Sequence, residues 1–206
     1  MKAQPATVYV VDDDSAVRSA IRLLLKSIGL PVNTFDTAQA FLDTYPNDAV
    51  GCALLDVRMP GMSGPALHQE LTLRGSILPV IFITGHGDVS MAVEAMQHGA
   101  FDFLEKPFHD QDLIERVQRA LVLNARARNR LSEQQAIRDR FVSLTPRERE
   151  VLQHVARGSS NKVMAYNLNI SQRTVEIHRA RLMEKMQAPS LAHLVRMTVT
   201  LTPAAH

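Results

Sequence analysis

The chain has one cysteine in 206 residues and no apolar run near the roughly 18 residues that a membrane helix needs. It also has no glycine-rich phosphate cradle. Each absence closes off a class of protein. Cys52 has no second cysteine to pair with, and its place in an apolar run predicts a packing role. Without a long apolar stretch, no membrane partner is expected. The opening Met1-Lys2-Ala3-Gln4-Pro5 lacks the apolar core of a signal peptide, so a cytoplasmic protein is expected. Neither a P-loop nor a Gly-x-Gly-x-x-Gly run is present, and no nucleotide site is indicated. The eight histidines fall at no metal-ligand spacing. Internal repeats and low-complexity tracts are missing too.

What is present is a composition of the soluble globular kind, 46% apolar and 21% charged, on a length that suits one large or two small domains. The net charge of +2 conceals a division. Residues 1–123 carry 9 basic and 15 acidic side chains, a balance of −6. Residues 124–206 carry 14 basic and 6 acidic, a balance of +8. An acidic front and a basic back predict two domains with different partners, the basic one being the candidate nucleic-acid binder.

The front alternates strand and helix. Strand-like runs fall at 7–11, 31–35, 52–56, 79–84 and 101–105, with helical patterns at 15–28, 37–44, 63–74, 89–98 and 109–123. In the first helix Val17, Ala20, Ile21, Leu24, Leu25 and Ile28 recur at helical spacing; Asp14 or Ser15 can cap it and Gly29 can end it. This alternation predicts an α/β fold, a parallel sheet doubly wound by helices on both faces. Ligands of such sheets sit outside the carboxyl ends of the strands.

Chemistry gathers at those ends. Asp12-Asp13-Asp14 follow the first run, Asp56 ends the third, Thr84 the fourth, and Lys106-Pro107 the fifth. Three carboxylates, a hydroxyl and an ammonium then share one crevice suited to a hard cation and a phosphoryl group. Mg²⁺ prefers octahedral oxygen and keeps several waters, which suits Asp13 and Asp56 as direct ligands, Asp12 through water, and one backbone carbonyl. Asp56 lies centrally and is the natural nucleophile, forming an aspartyl phosphate by in-line displacement with Lys106 on the phosphoryl oxygens. Thr84 can bond the phosphoryl group once it is present.

The back half shows no strand pattern. Residues 124–141 are charged and rich in helix formers, and predict a partly helical linker that continues the preceding helix. Four short helices are expected at 145–157, 161–168, 172–186 and 190–200, an all-α domain. Thr145 with Glu148 makes a capping box, with Pro146 at the first helical position. The pair 161–168 and 172–186, joined at Asn169-Ile170-Ser171, has helix-turn-helix spacing. Val163, Leu168, Ile170, Val175, Leu182 and Met186 are expected to form its core. The second helix would expose Arg173, Glu176, Ile177, Arg179 and Ala180 to base edges, while Lys162, Arg173, His178, Arg181 and Lys185 suit phosphate contacts.

Two resemblances cover nearly the whole chain apart from the linker. Residues 7–123 resemble the receiver domain of two-component response regulators, on Asp12/Asp13, Asp56 with Met59-Pro60-Gly61-Met62-Ser63-Gly64, Thr84, and Lys106-Pro107-Phe108. The run Thr84-Gly85-His86-Gly87-Asp88-Val89 and the segment from Gly99 to Phe108 are similar to the FixJ type. Leu144-Thr145-Pro146-Arg147-Glu148-Arg149-Glu150-Val151-Leu152, Gly158-Ser159-Ser160-Asn161-Lys162 and Ile170-Ser171-Gln172-Arg173-Thr174-Val175 resemble the LuxR-type DNA-binding domain.

The resemblance implies a flavodoxin-like five-stranded receiver over 1–123, a helical linker over 124–141, and a four-helix helix-turn-helix domain over 142–206. It implies Mg²⁺ on Asp12, Asp13, Asp56 and the Arg58 carbonyl, a cis bond before Pro107, and a switch using Thr84 and Phe103. Phe103 lacks the tyrosine hydroxyl often found at that position. It further implies a regulator rather than an enzyme: a sensor histidine kinase phosphorylates Asp56, the receiver pairs as a homodimer through the helix at 89–98 and the fifth strand, and the partners are promoter DNA and RNA polymerase. The helix at 172–186 would be the reader, with Thr174 among its contacts, and the last helix a dimer contact. Glu176 departs from the lysine common there. Two rivals are a phosphohydrolase, which would need a second aspartate where Arg58 stands, and a DNA-binding protein that ignores phosphate.

Overall fold

The computed structural model describes residues 5–46, 48–85, 93, 94, 96, 97 and 99–201. They divide into two compact units, with the division between Arg128 and Asn129. The first unit holds β1 (Thr7–Val11), α1 (Ser15–Ser27), β2 (Val32–Phe35), α2 (Ala38–Thr44), β3 (Gly51–Asp56), α3 (Gly64–Leu73), β4 (Val80–Thr84) and β5 (Asp102–Glu105). A long helix, α4 (Asp110–Val142), follows. The expected helix at 89–98 lies largely outside the described residues.

The five strands form one parallel sheet in the order β2-β1-β3-β4-β5. Strand period decides the two cores. Tyr9, Val11, Ala53, Leu55, Val80 and Phe82 face Phe41 and Leu42 of α2 and Leu67 and Leu71 of α3. Val8, Val10, Cys52, Leu54, Ile81 and Ile83 face Ile21 and Leu25 of α1 and Leu113, Val117 and Ala120 of α4. Both faces are thus covered, and β3 is buried along its whole length, as the apolar runs predict. Burial pushes the Cys52 thiol up to about 12, which keeps it a protonated packing group. Asp14 caps α1, its Oδ1 accepting from the Ala16 and Val17 amides. At the other end Ile28 is exposed and Gly29 turns the chain at φ +80°, so the buried stripe ends at Leu25 rather than at Ile28.

The second unit contains α5 (Pro146–Ala156), α6 (Asn161–Leu168), α7 (Gln172–Met186) and α8 (Leu191–Leu201). Its core is Leu144, Val151, Leu152, Val155, Met164, Ala165, Leu168, Val175, Leu182, Met186, Leu194 and Met197, with Ile137 from the end of α4. Val163, expected in this core, is 46% exposed. With Ser160 as the cap, α6 turns Met164, Ala165 and Leu168 inward, and Met164 takes the buried place one residue later. No helix among the described residues is long and apolar enough to cross a membrane.

Residues 110–142 are one uninterrupted helix, so the charged stretch after residue 123 keeps the helical path of the apolar stretch before it. Asn124 is buried on it. Its Oδ1 accepts from the Gly51 amide at 3.0 Å and its Nδ2 donates to the Ile77 carbonyl at 3.1 Å, while Arg128 donates to the Ala49 carbonyl at 3.2 Å. One side chain thus satisfies the buried Gly51 amide at the start of β3 and the Ile77 carbonyl in the loop before β4. Asn124→Ala should cost the first unit about 2 kcal/mol, because both groups lose their partner. Urea unfolding, together with faster amide exchange at Gly51, is the measurement.

Candidate functional site

The strand order reverses between β1 and β3, and the crevice opens at the carboxyl ends of those two strands. Asp12 follows β1, Asp56 ends β3, Thr84 ends β4, and Lys106 follows β5. The sheet register therefore gathers four of the expected residues. Lys106 Nζ donates to Asp12 Oδ2 at 2.8 Å and to Asp56 Oδ1 at 2.7 Å. Asp56 Oδ2 accepts from the Arg58 amide at 2.9 Å. The Lys106 amide donates to the Thr84 carbonyl at 2.7 Å, which fixes the lysine against β4. The Lys106–Pro107 bond is cis, as the resemblance implies.

Asp12 is fully buried and fully engaged. Its Oδ1 accepts from the Asp14 amide at 2.8 Å, its own amide donates to the Phe35 carbonyl at 3.2 Å, and its carbonyl accepts from Arg18 Nη1 at 2.5 Å. Asp13, next to it in the chain, is exposed. Arg58 is exposed in the turn after β3. Thr84 is buried, its hydroxyl donating to the Gly85 carbonyl at 3.2 Å. Phe103 is half-buried against the core on the α2 and α3 face. His86 lies outside the described residues. The start of α3 is pressed against the end of β3: a Cβ on Gly64 would stand 2.2 Å from the Asp56 carbonyl oxygen, so only glycine fits there.

Burial raises the Asp56 pKa, and the Asp12 charge adds to it, against the lowering effect of Lys106 and the Arg58 amide. Burial acts to lower the Lys106 pKa, but its hydrogen bonds and charge contacts with Asp12 and Asp56 win and raise it. The lysine thus stays an ammonium beside a largely desolvated carboxylate, the pairing that suits a nucleophile and the cation that steadies an incoming anion.

In the second unit Asn169 turns the chain at φ 52° after α6, and Ser171 caps α7, accepting from the Thr174 amide at 3.0 Å. Arg173, Glu176, Ile177, Ala180 and Arg181 are exposed on α7, opposite the buried Val175, Leu182 and Met186. Lys162 is exposed on α6. Three expected contacts are differently employed. Arg179 is half-buried, its guanidinium hydrogen-bonded to Asn161 Oδ1, and so ties α7 to the start of α6. Lys185 pairs at 2.7 Å with Glu148, whose side chain is 3% exposed, and so ties α7 to α5. The Thr174 hydroxyl lies 2.8 Å from that of Ser171, inside the cap. His178 is half-buried, and its Nδ1 has no hydrogen-bond partner among the described residues. Spacing placed Arg179 and Lys185 on the basic helix, but their partners lie 18 and 37 residues away, which no local pattern reveals.

A 2-1-3-4-5 sheet with this crevice, followed by a capped helix-turn-helix, is the architecture of a transcriptional response regulator. Comparison with known proteins agrees. Residues 8–118 match the response regulator receiver domain, and residues 142–198 match the bacterial regulatory proteins of the luxR family. The chain is 46% identical to the transcriptional regulatory protein FixJ of Bradyrhizobium diazoefficiens, over 93% of this chain and 94% of that protein. It is 42% identical to the response regulator TodT of Pseudomonas putida F1, over 98% and 88%. Among solved structures, response regulator StyR superposes with a TM-score of 0.88 at 45% identity, covering 95% of this chain and 99% of that one. Full-length FixJ from B. japonicum gives 0.60 at 46%, covering 95% and 96%. The chain belongs to the FixJ-type response regulators, which join a receiver to a LuxR-type DNA-binding domain.

Glu148 should give the stability of the second unit a pH dependence. Burial acts to raise its pKa, but the Lys185 ammonium and the Thr145 hydrogen bonds outweigh this and lower it below its ordinary 4.5. A depressed carboxylate contributes stability that is present above the unfolded value and is lost as pH falls through the folded one. The melting temperature of the second unit should therefore fall as pH drops below about 4.5. Glu148→Gln should flatten that dependence and lower the melting temperature at pH 7.

Proposed function

We propose that Asp56 accepts a phosphoryl group from a sensor histidine kinase and that the phosphorylated receiver, as a homodimer, presents paired DNA-binding domains to promoter DNA and RNA polymerase in the cytoplasm. The domains are the receiver at 1–123, the helical linker at 124–141 and the DNA-binding domain at 142–206. The observation that carries this reading is the Lys106 ammonium held between Asp12 and Asp56. An Asp56 oxygen attacks the donor phosphorus, one P–O bond forms, and the donor's bond to phosphorus breaks with its electron pair leaving on the donor. Lys106, already 2.7 Å from Asp56, is placed to follow the new charge on the phosphoryl oxygens. Thr84 would exchange its bond to the Gly85 carbonyl for one to a phosphoryl oxygen, and Phe103 would repack with it.

The donor set suits Mg²⁺. Asp13, Asp56 and the Arg58 carbonyl would hold the ion directly and Asp12 through water, with the Asp12 and Asp56 oxygens, each now hydrogen-bonded, giving up Lys106 or the Arg58 amide where the ion needs them. When bound, the ion neutralises phosphoryl oxygens that the carboxylates would otherwise repel.

On α7, the exposed Arg173, Glu176, Ile177, Ala180 and Arg181 form the reading face, with Lys162 on α6 as a phosphate contact. His178 is a partly shielded contact. Arg179 and Lys185 hold α7 in place for these residues rather than binding DNA themselves.

Asp56→Ala should abolish labelling by acetyl phosphate with Mg²⁺. Asp14→Ala should keep the label and lose about 1 kcal/mol of stability, because Asp14 serves the helix cap. Label retained on Asp56→Ala protein would remove the acceptor assignment.

Phosphorylation should tighten binding to a two-fold site, since dimerisation links two weak half-site contacts. Arg181→Ala should weaken all sequences alike, whereas Ile177→Ala or Glu176→Ala should change the preferred bases by about 1–3 kcal/mol per base pair. Binding-site selection on these variants is the test; an unchanged motif in both would show that α7 is not the reader.

A further inference from the structure

The β1–α1 turn presents two adjacent aspartates in opposite conditions. Asp12 is tied by its amide, its carbonyl and both carboxylate oxygens. Asp13 is exposed, and among the described residues its carboxylate has no hydrogen bond or ion pair. Among the described residues, only the backbone therefore fixes where Asp13 stands. The peptide that links the two aspartates carries the Asp12 carbonyl, and that carbonyl accepts from Arg18 Nη1 at 2.5 Å. Arg18 lies on α1, six residues on, and is half-buried. Among the described residues it makes no ion pair, and the ties of Asp12 to Phe35, Asp14 and Lys106 leave the Asp12–Asp13 peptide with no other hold on its carbonyl side.

We propose that Arg18 is a positioning residue for the cation site: by holding the Asp12–Asp13 peptide it orders the Asp13 carboxylate before a divalent cation arrives. The inference rests on the reading of Asp13 as a Mg²⁺ ligand. The guanidinium has two effects of opposite sign on a nearby cation. Its positive charge repels a divalent ion, so removing it should tighten Mg²⁺ binding by electrostatics alone. Its hydrogen bond preorganises the turn, so removing it should weaken Mg²⁺ binding, because ordering the ligand then falls on the binding step. Groups that orient metal ligands typically alter affinity by about tenfold or more when removed. At a half-buried site, where solvent screens the repulsion, preorganisation dominates.

Mg²⁺ titration calorimetry on the full unphosphorylated chain decides the matter, with the wild type, Arg18→Ala, Arg18→Lys and Asp13→Asn compared. Arg18→Ala should weaken Mg²⁺ binding by about tenfold. Arg18→Lys keeps the charge and a donor and should recover part of the loss, with all variants showing unchanged circular dichroism. Unchanged or tighter binding in Arg18→Ala, with Asp13→Asn impaired, overturns the positioning role and leaves the metal site standing. Undiminished binding in Asp13→Asn overturns the metal reading and the positioning role together. Equal losses in Arg18→Ala and Arg18→Lys, accompanied by altered circular dichroism, would show a folding defect and also overturn the proposal.

Discussion

The Lys106 ammonium between Asp12 and Asp56 is the interaction on which the receiver's crevice depends. Two carboxylates brought to neighbouring strand ends, one fully buried and one nearly so, repel each other unless a cation lies between them. Lys106 supplies that charge from the end of β5, across β4, and its backbone amide is itself fastened to Thr84. Removing one member of a buried ion pair costs about 3–5 kcal/mol. Lys106 is 26% exposed, so solvent shares the load and the cost lies below that range. In the proposed reaction, the same partial exposure would let the ammonium move from a carboxylate to an incoming phosphoryl oxygen. A fully sealed pair would be too costly to rearrange.

The second unit repeats the principle with a different purpose. Glu148 and Lys185 join the start of α5 to the end of α7, and Asn161 and Arg179 join the start of α6 to its middle. These ties consume two of the four basic groups of α7, the most basic helix of the second unit. What is left on the exposed side is a compact face of Arg173, Glu176, Ile177, Ala180 and Arg181. Charge count alone overstates the number of side chains available to a nucleic acid, because a helix in a small domain must also be held against its neighbours.

Much of the architecture was legible in the residues. Apolar runs marked the five strands, and helical stripes the helices α1, α2 and α3, to within a residue or two, and Ser171 and Thr145 marked the starts of α7 and α5 by their caps. The carboxylates, Thr84 and Lys106 were legible as a site because each stands at the end of an apolar run. Val163 was misjudged because a β-branched residue next to Met164 has the same local pattern, and only the packing of α6 against α7 selects between them. Asn124 gave no sign at all. A polar residue in a charged helical stretch reads as solvated until Gly51 and Ile77 are found beside it.

By itself the sequence determined the alternation of elements, the caps that begin and end them, the charge division and the chemical identity of the acidic crevice. All of these follow from residues within a turn or a strand of one another. Tertiary structure alone decided which side chains satisfy which. The partners of Lys106 lie 94 and 50 residues away, those of Asn124 lie 73 and 47 away, and that of Lys185 lies 37 away. Hydrogen bonds and ion pairs act over about 3 Å, so pairings at such separations exist only once the sheet register and the helix packing have brought the atoms together.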